Sequence, residues 1–144
     1  MIGILVLTHG ELGLQFIKTA RLIGLNSETS LASLCFDPKD SPDSLRSRLA
    51  EAIKSVKTEG GVLVLTDLFG GTPTNLSLSF LQAGEVEVVT GLNLPMLIKA
   101  VNARAQHDLA SLARLAADAG KENIYLASDI LRQRLAKRKG TENP

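Results

Sequence analysis

His9 and Asp67 are the two residues of this chain whose types and placement invite chemistry. Each follows an all-apolar run. Residues 1–7 (MIGILVL) lead into Thr8-His9-Gly10, and residues 62–66 (VLVLT) lead into Asp67. Short apolar runs bounded by turn residues read as buried strands. Two such strands, parallel and adjacent, present their C-terminal ends at one edge, where open α/β sheets bind ligands. The imidazole and the carboxylate then meet. A carboxylate that accepts one ring N–H fixes the tautomer, turns the other nitrogen's lone pair outward and stabilises an imidazolium formed on attack. Histidine placed in this way is a nucleophile toward phosphorus or carbon.

The residues after Asp67 add an anion cradle. Gly70-Gly71 makes a turn, Thr72 is placed to cap a helix, and Pro73 suits its first position. The N–H groups around Gly70, Gly71 and Thr72, the Thr72 hydroxyl and the positive end of the helix dipole converge on one spot, a geometry suited to phosphoryl oxygens. Other phosphate and nucleophile signatures fail. GGTPTN has neither the lysine nor the spacing of a P-loop, and THGELG contains no GxGxxG. Asp67 resembles the phosphoacceptor of receiver domains, but those gather acidic residues after strand one, where this chain has Thr8-His9. No serine sits in a nucleophile elbow. His107, among polar residues between helices, reads as a solvated surface residue.

The elements that must position this pair follow from composition and period. The chain has 144 residues, 44% hydrophobic and only 3% aromatic, so its core is built from Leu, Val, Ile and Ala, as in a parallel sheet covered by helices. A net charge of +1 provides no bulk argument for nucleic-acid binding. Cys35 stands alone, which excludes an internal disulfide, and two histidines and one cysteine at these spacings form no metal set. No cofactor is expected. Nor does any apolar run reach the roughly 18 residues of a membrane helix, and no signal peptide opens the chain, so a soluble cytoplasmic protein is expected.

Along the chain, residues 11–23 read as a helix with Leu12, Phe16, Ile17 and Ala20 on one face and Gly24 as its stop. A second strand covers 31–36, ended by Asp37-Pro38. Ser41 then caps a helix whose stripe is Leu45, Leu49, Ala52, Ile53 and Val56. The helix after Asp67 is expected to run to Gly84 with Leu76, Phe80 and Leu81 inward. Residues 85–90 form a fourth strand, and Pro95 starts the next helix. A further helix, 108–119, buries Leu109, Leu112, Ala113 and Ala116 before a stop at Gly120. Ile124-Tyr125-Leu126 reads as a short fifth strand, and the basic tail from Ser128 as the start of a terminal helix. Four strand–helix alternations make this a doubly wound α/β fold: one domain over 1–127, then a tail over 128–144.

Three pieces together carry a family signature: IGILVLTHGELG, GGVLVLTDLFGGTPTN and VVTGLNLPML, in that order. Over about residues 1–127 the chain resembles the IIA domain of the mannose family of the bacterial phosphoenolpyruvate-dependent sugar phosphotransferase system. The resemblance implies that His9 is phosphorylated by the phosphocarrier HPr and passes the group to a IIB domain, with Asp67 as its paired carboxylate. It implies that Thr72 serves the phosphate-binding turn and that Phe69 replaces a frequent tryptophan as an apolar rim for partners. It places Asn93, Pro95 and Met96 in the loop bordering the site. It implies a homodimer in which the fifth strand, 124–126, crosses to pair antiparallel in the partner's sheet. Many members continue through a linker into a fused IIB domain, whereas this sequence ends at Pro144, so the expected acceptor is a separate IIB protein, through which a membrane permease could be engaged. Two other roles fit the same residues: a regulatory module switched by the phosphorylation state of His9, and the donor subunit of a dihydroxyacetone kinase, although the TDLFGGTPTN loop looks closer to the mannose type.

Overall fold

The computed structural model describes residues 1–142. Its elements in order are β1 (Gly3–His9), α1 (Leu12–Ile23), β2 (Leu31–Phe36), α2 (Pro42–Val56), β3 (Val62–Thr66), α3 (Thr72–Leu78), β4 (Val86–Thr90), α4 (Leu94–Ala103), α5 (Leu109–Glu122) and α6 (Ala127–Glu142). The four strands form one parallel sheet in the order β2-β1-β3-β4. From β1 the chain steps outward to β2, then returns across β1 to place β3 on its other side. The strand order therefore reverses between β1 and β3, and a crevice opens there at the C-terminal ends.

Period-two alternation divides the buried strand residues between two faces. Ile4, Val6, Leu63 and Leu65 pack with α1, α4 and α5, through Ile17, Ala20, Leu97, Val101, Leu112 and others. Leu5, Leu7, Val62 and Val64 pack with α2 and α3, through Leu45, Leu49, Ile53 and Leu76. Both faces being covered, β1 and β3 are buried almost throughout, which is why they read as unbroken apolar runs. Each fully buried Leu or Ile contributes about 1.5–3 kcal/mol of burial.

Several local expectations change. Thr72 is the first residue of α3 and Gly71 occupies the N-cap, with no side-chain cap bond. The helix ends at Leu78, far short of Gly84, and Leu81 is exposed. Its own serines explain the early end: Ser77 and Ser79 donate their hydroxyls back to the carbonyls of Pro73 and Leu76, a local alternative that weakens a continuing helix. Leu12, placed on the inner face of α1, is likewise exposed. Gly120 does not stop α5, which continues to Glu122. A Cβ on Gly120 would lie 2.8 Å from the Met96 Cε, so the glycine lets α5 approach α4 closely.

The fifth strand is not formed within this chain. Residues 124–126 pair with no strand and lie exposed, at 75%, 64% and 66% for Ile124, Tyr125 and Leu126. The sheet of one chain ends at β4, and no strand follows α5 to extend it among the described residues. The basic tail is helical as α6, with its side chains through Gly140 exposed apart from half-buried Ile130. Among the described residues no helix is long and apolar enough to cross a membrane.

Candidate functional site

The crevice between β1 and β3 brings His9 and Asp67 together. His9 is the last residue of β1 and Asp67 the first after β3. The His9 backbone N–H donates to Asp67 Oδ2 at 3.1 Å, and the Leu68 N–H donates to Oδ1 at 3.0 Å. The imidazole Nδ1 lies 3.2 Å from Oδ1 and 3.1 Å from Oδ2. Two backbone donors already address this carboxylate, so it meets the ring as an acceptor and Nδ1 carries the proton. Nε2 then keeps its lone pair. Asp67 is almost enclosed, with 11% of its side chain exposed, whereas His9 keeps 38%. The carboxylate orients from below and the ring stays reachable from solvent.

Two more groups confine the imidazole. Phe36, the last residue of β2 and in register with His9, meets it edge to face with centroids 5.3 Å apart and planes at 85°. The backbone is fixed beside it, because the Gly10 N–H continues the ladder to the Phe36 carbonyl at 2.8 Å. Gly71 lies beside the ring, where only the lack of a Cβ leaves space at the Cε1–Nε2 edge. Behind the histidine, buried Thr8 accepts the Gly13 N–H at 2.7 Å and ties the start of α1 to β1. Sequence alone does not single out Thr8, since a threonine at a strand end is ordinary until the next helix turns back onto it.

The remaining residues divide by position. Gly70 has φ +87°, left-handed backbone that favours glycine, and nothing crowds it. The Thr72 side chain is exposed at the start of α3. Phe69 projects at 77% exposure beside exposed Leu68, forming an apolar tip above the crevice. Across β1, a cleft of about 390 Å³ is lined by Gly10, Glu11, Cys35, Phe36, Asp37 and Pro38, so half-buried Cys35 sits on the flank of the site. Asn93, Pro95 and Met96 lie at the N-terminal end of α4. Their loop is joined to β3 by the Leu92 N–H donating to the Thr66 carbonyl. Asn93 caps α4, accepting the Met96 N–H at 3.0 Å, and donates to the Gly120 carbonyl at 2.9 Å. Met96 is 4% exposed and belongs to the core. Pro95 lines a groove of about 480 Å³ between α4 and α5. His107 is exposed, outside the crevice.

Comparison with known proteins agrees with this geometry. Residues 3–117 match the family model described as the PTS system fructose IIA component, EIIA-man. The chain belongs to this family. It is 26% identical over 132 residues to the PTS system fructose-specific EIIA component of Bacillus subtilis, covering 91% of this chain and 90% of that protein. It is 30% identical over 125 residues to the PTS system mannose-specific EIIAB component of Escherichia coli. That match takes in 85% of this chain but only 38% of the relative's length. Among solved structures, the phosphotransferase system component EIIA from Streptococcus agalactiae superposes with a TM-score of 0.79 at 28% identity, over 90% of this chain and 99% of that one. The matched segment contains the whole His9–Asp67 crevice, β1 to β4 and the Gly70–Thr72 turn.

Proposed function

We propose that the chain is a histidine phosphocarrier of the sugar phosphotransferase system, accepting a phosphoryl group on Nε2 of His9 from phospho-HPr and passing it to a IIB-type acceptor for carbohydrate uptake. The observation that carries this reading is the pair itself: a partly exposed strand-end imidazole whose Nδ1 faces a nearly enclosed carboxylate while Nε2 has no hydrogen-bond partner among the described residues, inside a segment matching the EIIA family. The Nε2 lone pair attacks phosphorus in line as the P–N bond to the donor imidazole breaks, and that imidazole leaves with the bonding pair. His9 then carries Nδ1–H and a formal positive charge, which Asp67 offsets. Gly70, Gly71 and the Thr72 hydroxyl take the equatorial oxygens, donating from a site that needs little reorganisation. Phe69 and Leu68 offer the apolar tip that a partner covers during transfer, and partners of this kind must bind weakly enough to leave.

The same reading makes the protein a homodimer. Exposed Ile124, Tyr125 and Leu126 and the edge of β4 beyond Val86, which bridges to Gln82, are complementary, and an antiparallel pairing of that segment onto a second copy buries both.

The deciding experiment is intact-protein mass spectrometry after incubation with phosphoenolpyruvate, enzyme I and HPr, run beside His9→Ala. One acid-labile phosphoryl adduct on the native chain, absent from the variant, is the expected result. An adduct that persists in His9→Ala refutes the assignment.

A further inference from the structure

The loop from Asp67 to Gly71 carries half of the site, yet its middle is almost bare. Leu68 and Phe69 are exposed, and nothing approaches Gly70 where a Cβ would stand. Among the described residues the side-chain hydrogen bonds to the backbone of residues 68–70 are two, and both fall on Leu68. Its N–H donates to the Asp67 carboxylate, and its carbonyl accepts the hydroxyl of Thr74. Leu68 is thus held between the residue that orients His9 and a side chain in the first turn of α3.

Thr74 is wholly buried, as is Thr66, and their hydroxyl oxygens lie 3.1 Å apart. A carbonyl can only accept, so the single proton of Thr74 goes to Leu68, and Thr66 must donate to Thr74. The result is a directed chain from Thr66 Oγ1 to Thr74 Oγ1 to the Leu68 carbonyl. It begins in β3, passes through α3 and ends in the loop between them. Simple packing does not demand this arrangement, because two valines would fill the same volume without polar atoms.

We propose that Thr74 is a positioning residue for phosphoryl transfer: its buried hydroxyl, oriented by Thr66, clamps Leu68 and so holds the Asp67 carboxylate on Nδ1 of His9. Without the clamp the Leu68 carbonyl loses its partner, the loop samples other positions, and the carboxylate no longer dictates which ring nitrogen is protonated. This inference rests on the phosphocarrier reading for its kinetic consequence but not for its effect on the resting imidazole.

The test is Thr74→Val, which keeps shape and removes the hydroxyl, beside Thr74→Ser, which restores it. In the unphosphorylated protein, nitrogen chemical shifts of the His9 ring report the tautomer. Native protein and Thr74→Ser are expected to be predominantly Nδ1–H, and Thr74→Val a mixture. Single-turnover phosphorylation from phospho-HPr is expected to slow by about tenfold in Thr74→Val and to recover in Thr74→Ser, an effect of the size that small losses of alignment produce. Native tautomer and native rate in Thr74→Val overturn the proposal, as does failure of Thr74→Ser to restore both. Should Thr74→Val not fold, Thr66→Val removes the orienting donor instead and must shift the tautomer in the same direction; an unshifted ring overturns the proposal. If the native chain takes up no phosphoryl group while Thr74→Val still shifts the tautomer, the phosphocarrier reading fails and the clamp stands.

Discussion

A methyl group on Gly71 would sit 3.1 Å from Cε1 and 3.4 Å from Nε2 of His9. The residue is a glycine for the sake of space at the ring, since its φ of −80° is open to any amino acid. Gly70 is the opposite case, with φ +87° and no neighbour where a side chain would go. The two glycines therefore separate under the same substitution. Gly71→Ala is expected to leave the unfolding midpoint unchanged and, on the phosphocarrier reading, to slow phosphorylation, because the methyl presses on the ring edge that carries Nε2. Gly70→Ala is expected to destabilise by about 1–3 kcal/mol through backbone strain. Urea unfolding and phosphorylation kinetics on both variants check the pair, and equal loss of stability in both would contradict this division.

Asp67→Asn tests the carboxylate. The substituted amide presents an NH2 to a site where two backbone N–H groups and Nδ1–H all need acceptors, so one donor must face another. The ring is expected to rotate or to shift its proton to Nε2, which removes the nucleophile. A fall in phosphorylation rate on the order of 10²-fold or more is expected, with the fold retained. A near-native rate would show that the tautomer is set elsewhere.

The sheet and the meeting of His9 with Asp67 are legible in the sequence because both rest on short-range signals. Buried strands read as apolar runs, helices with Pro42 and Pro95 in their first turn announce themselves, and His9 and Asp67 each stand at the end of an apolar run. The features that escape a sequence reading depend on distant partners. Gly120 looks like a helix stop until Met96 is found against it. Leu81 and Leu12 look inward by period, but α3 ends before Leu81 and α1 turns Leu12 to the surface. The hydroxyls of Thr66 and Thr74 are eight positions apart, and only the fold of β3 against α3 makes them neighbours. Ile124-Tyr125-Leu126 has strand composition, but composition does not supply a pairing partner, and one chain offers none.

Arg104 shows the same limit at its sharpest. A lone arginine after an amphipathic helix reads as surface, yet it is 2% exposed. Its guanidinium donates to the carbonyls of Ile2, Ser27 and Ser30 at 3.2–3.4 Å, tying the end of α4 to β1 and to the loop before β2. Burial pulls its pKa below the ordinary range, but from so high a start that it stays charged at neutral pH. Three splayed carbonyls match a planar fork and exceed the reach of one ammonium. Arg104→Lys is therefore expected to cost about 1–3 kcal/mol by leaving buried acceptors unpaired, read as a lower urea midpoint. A midpoint equal to the native one would mean that water or a shifted loop replaces the fork.

Asp108 gives the chain a defined acid sensitivity away from the crevice. It caps α5, its Oδ1 accepting the Ser111 N–H at 2.8 Å. The backbone and side-chain hydrogen bonds from Ser111 favour the carboxylate, with a smaller contribution from His107, and hold its pKa below the usual value near 3.8. A group whose pKa is lower folded than unfolded stabilises fully above the unfolded value and loses that contribution as pH falls through the folded one. Native protein is therefore expected to be more stable than Asp108→Ala at pH 7, by a margin that is constant down to about pH 5 and narrows in stronger acid. Urea unfolding of the two proteins at matched pH checks the margin, and carboxyl chemical shifts check the pKa directly. A margin unchanged to about pH 3 would place the helix cap on the neutral acid as much as on the carboxylate and remove the acid dependence from Asp108.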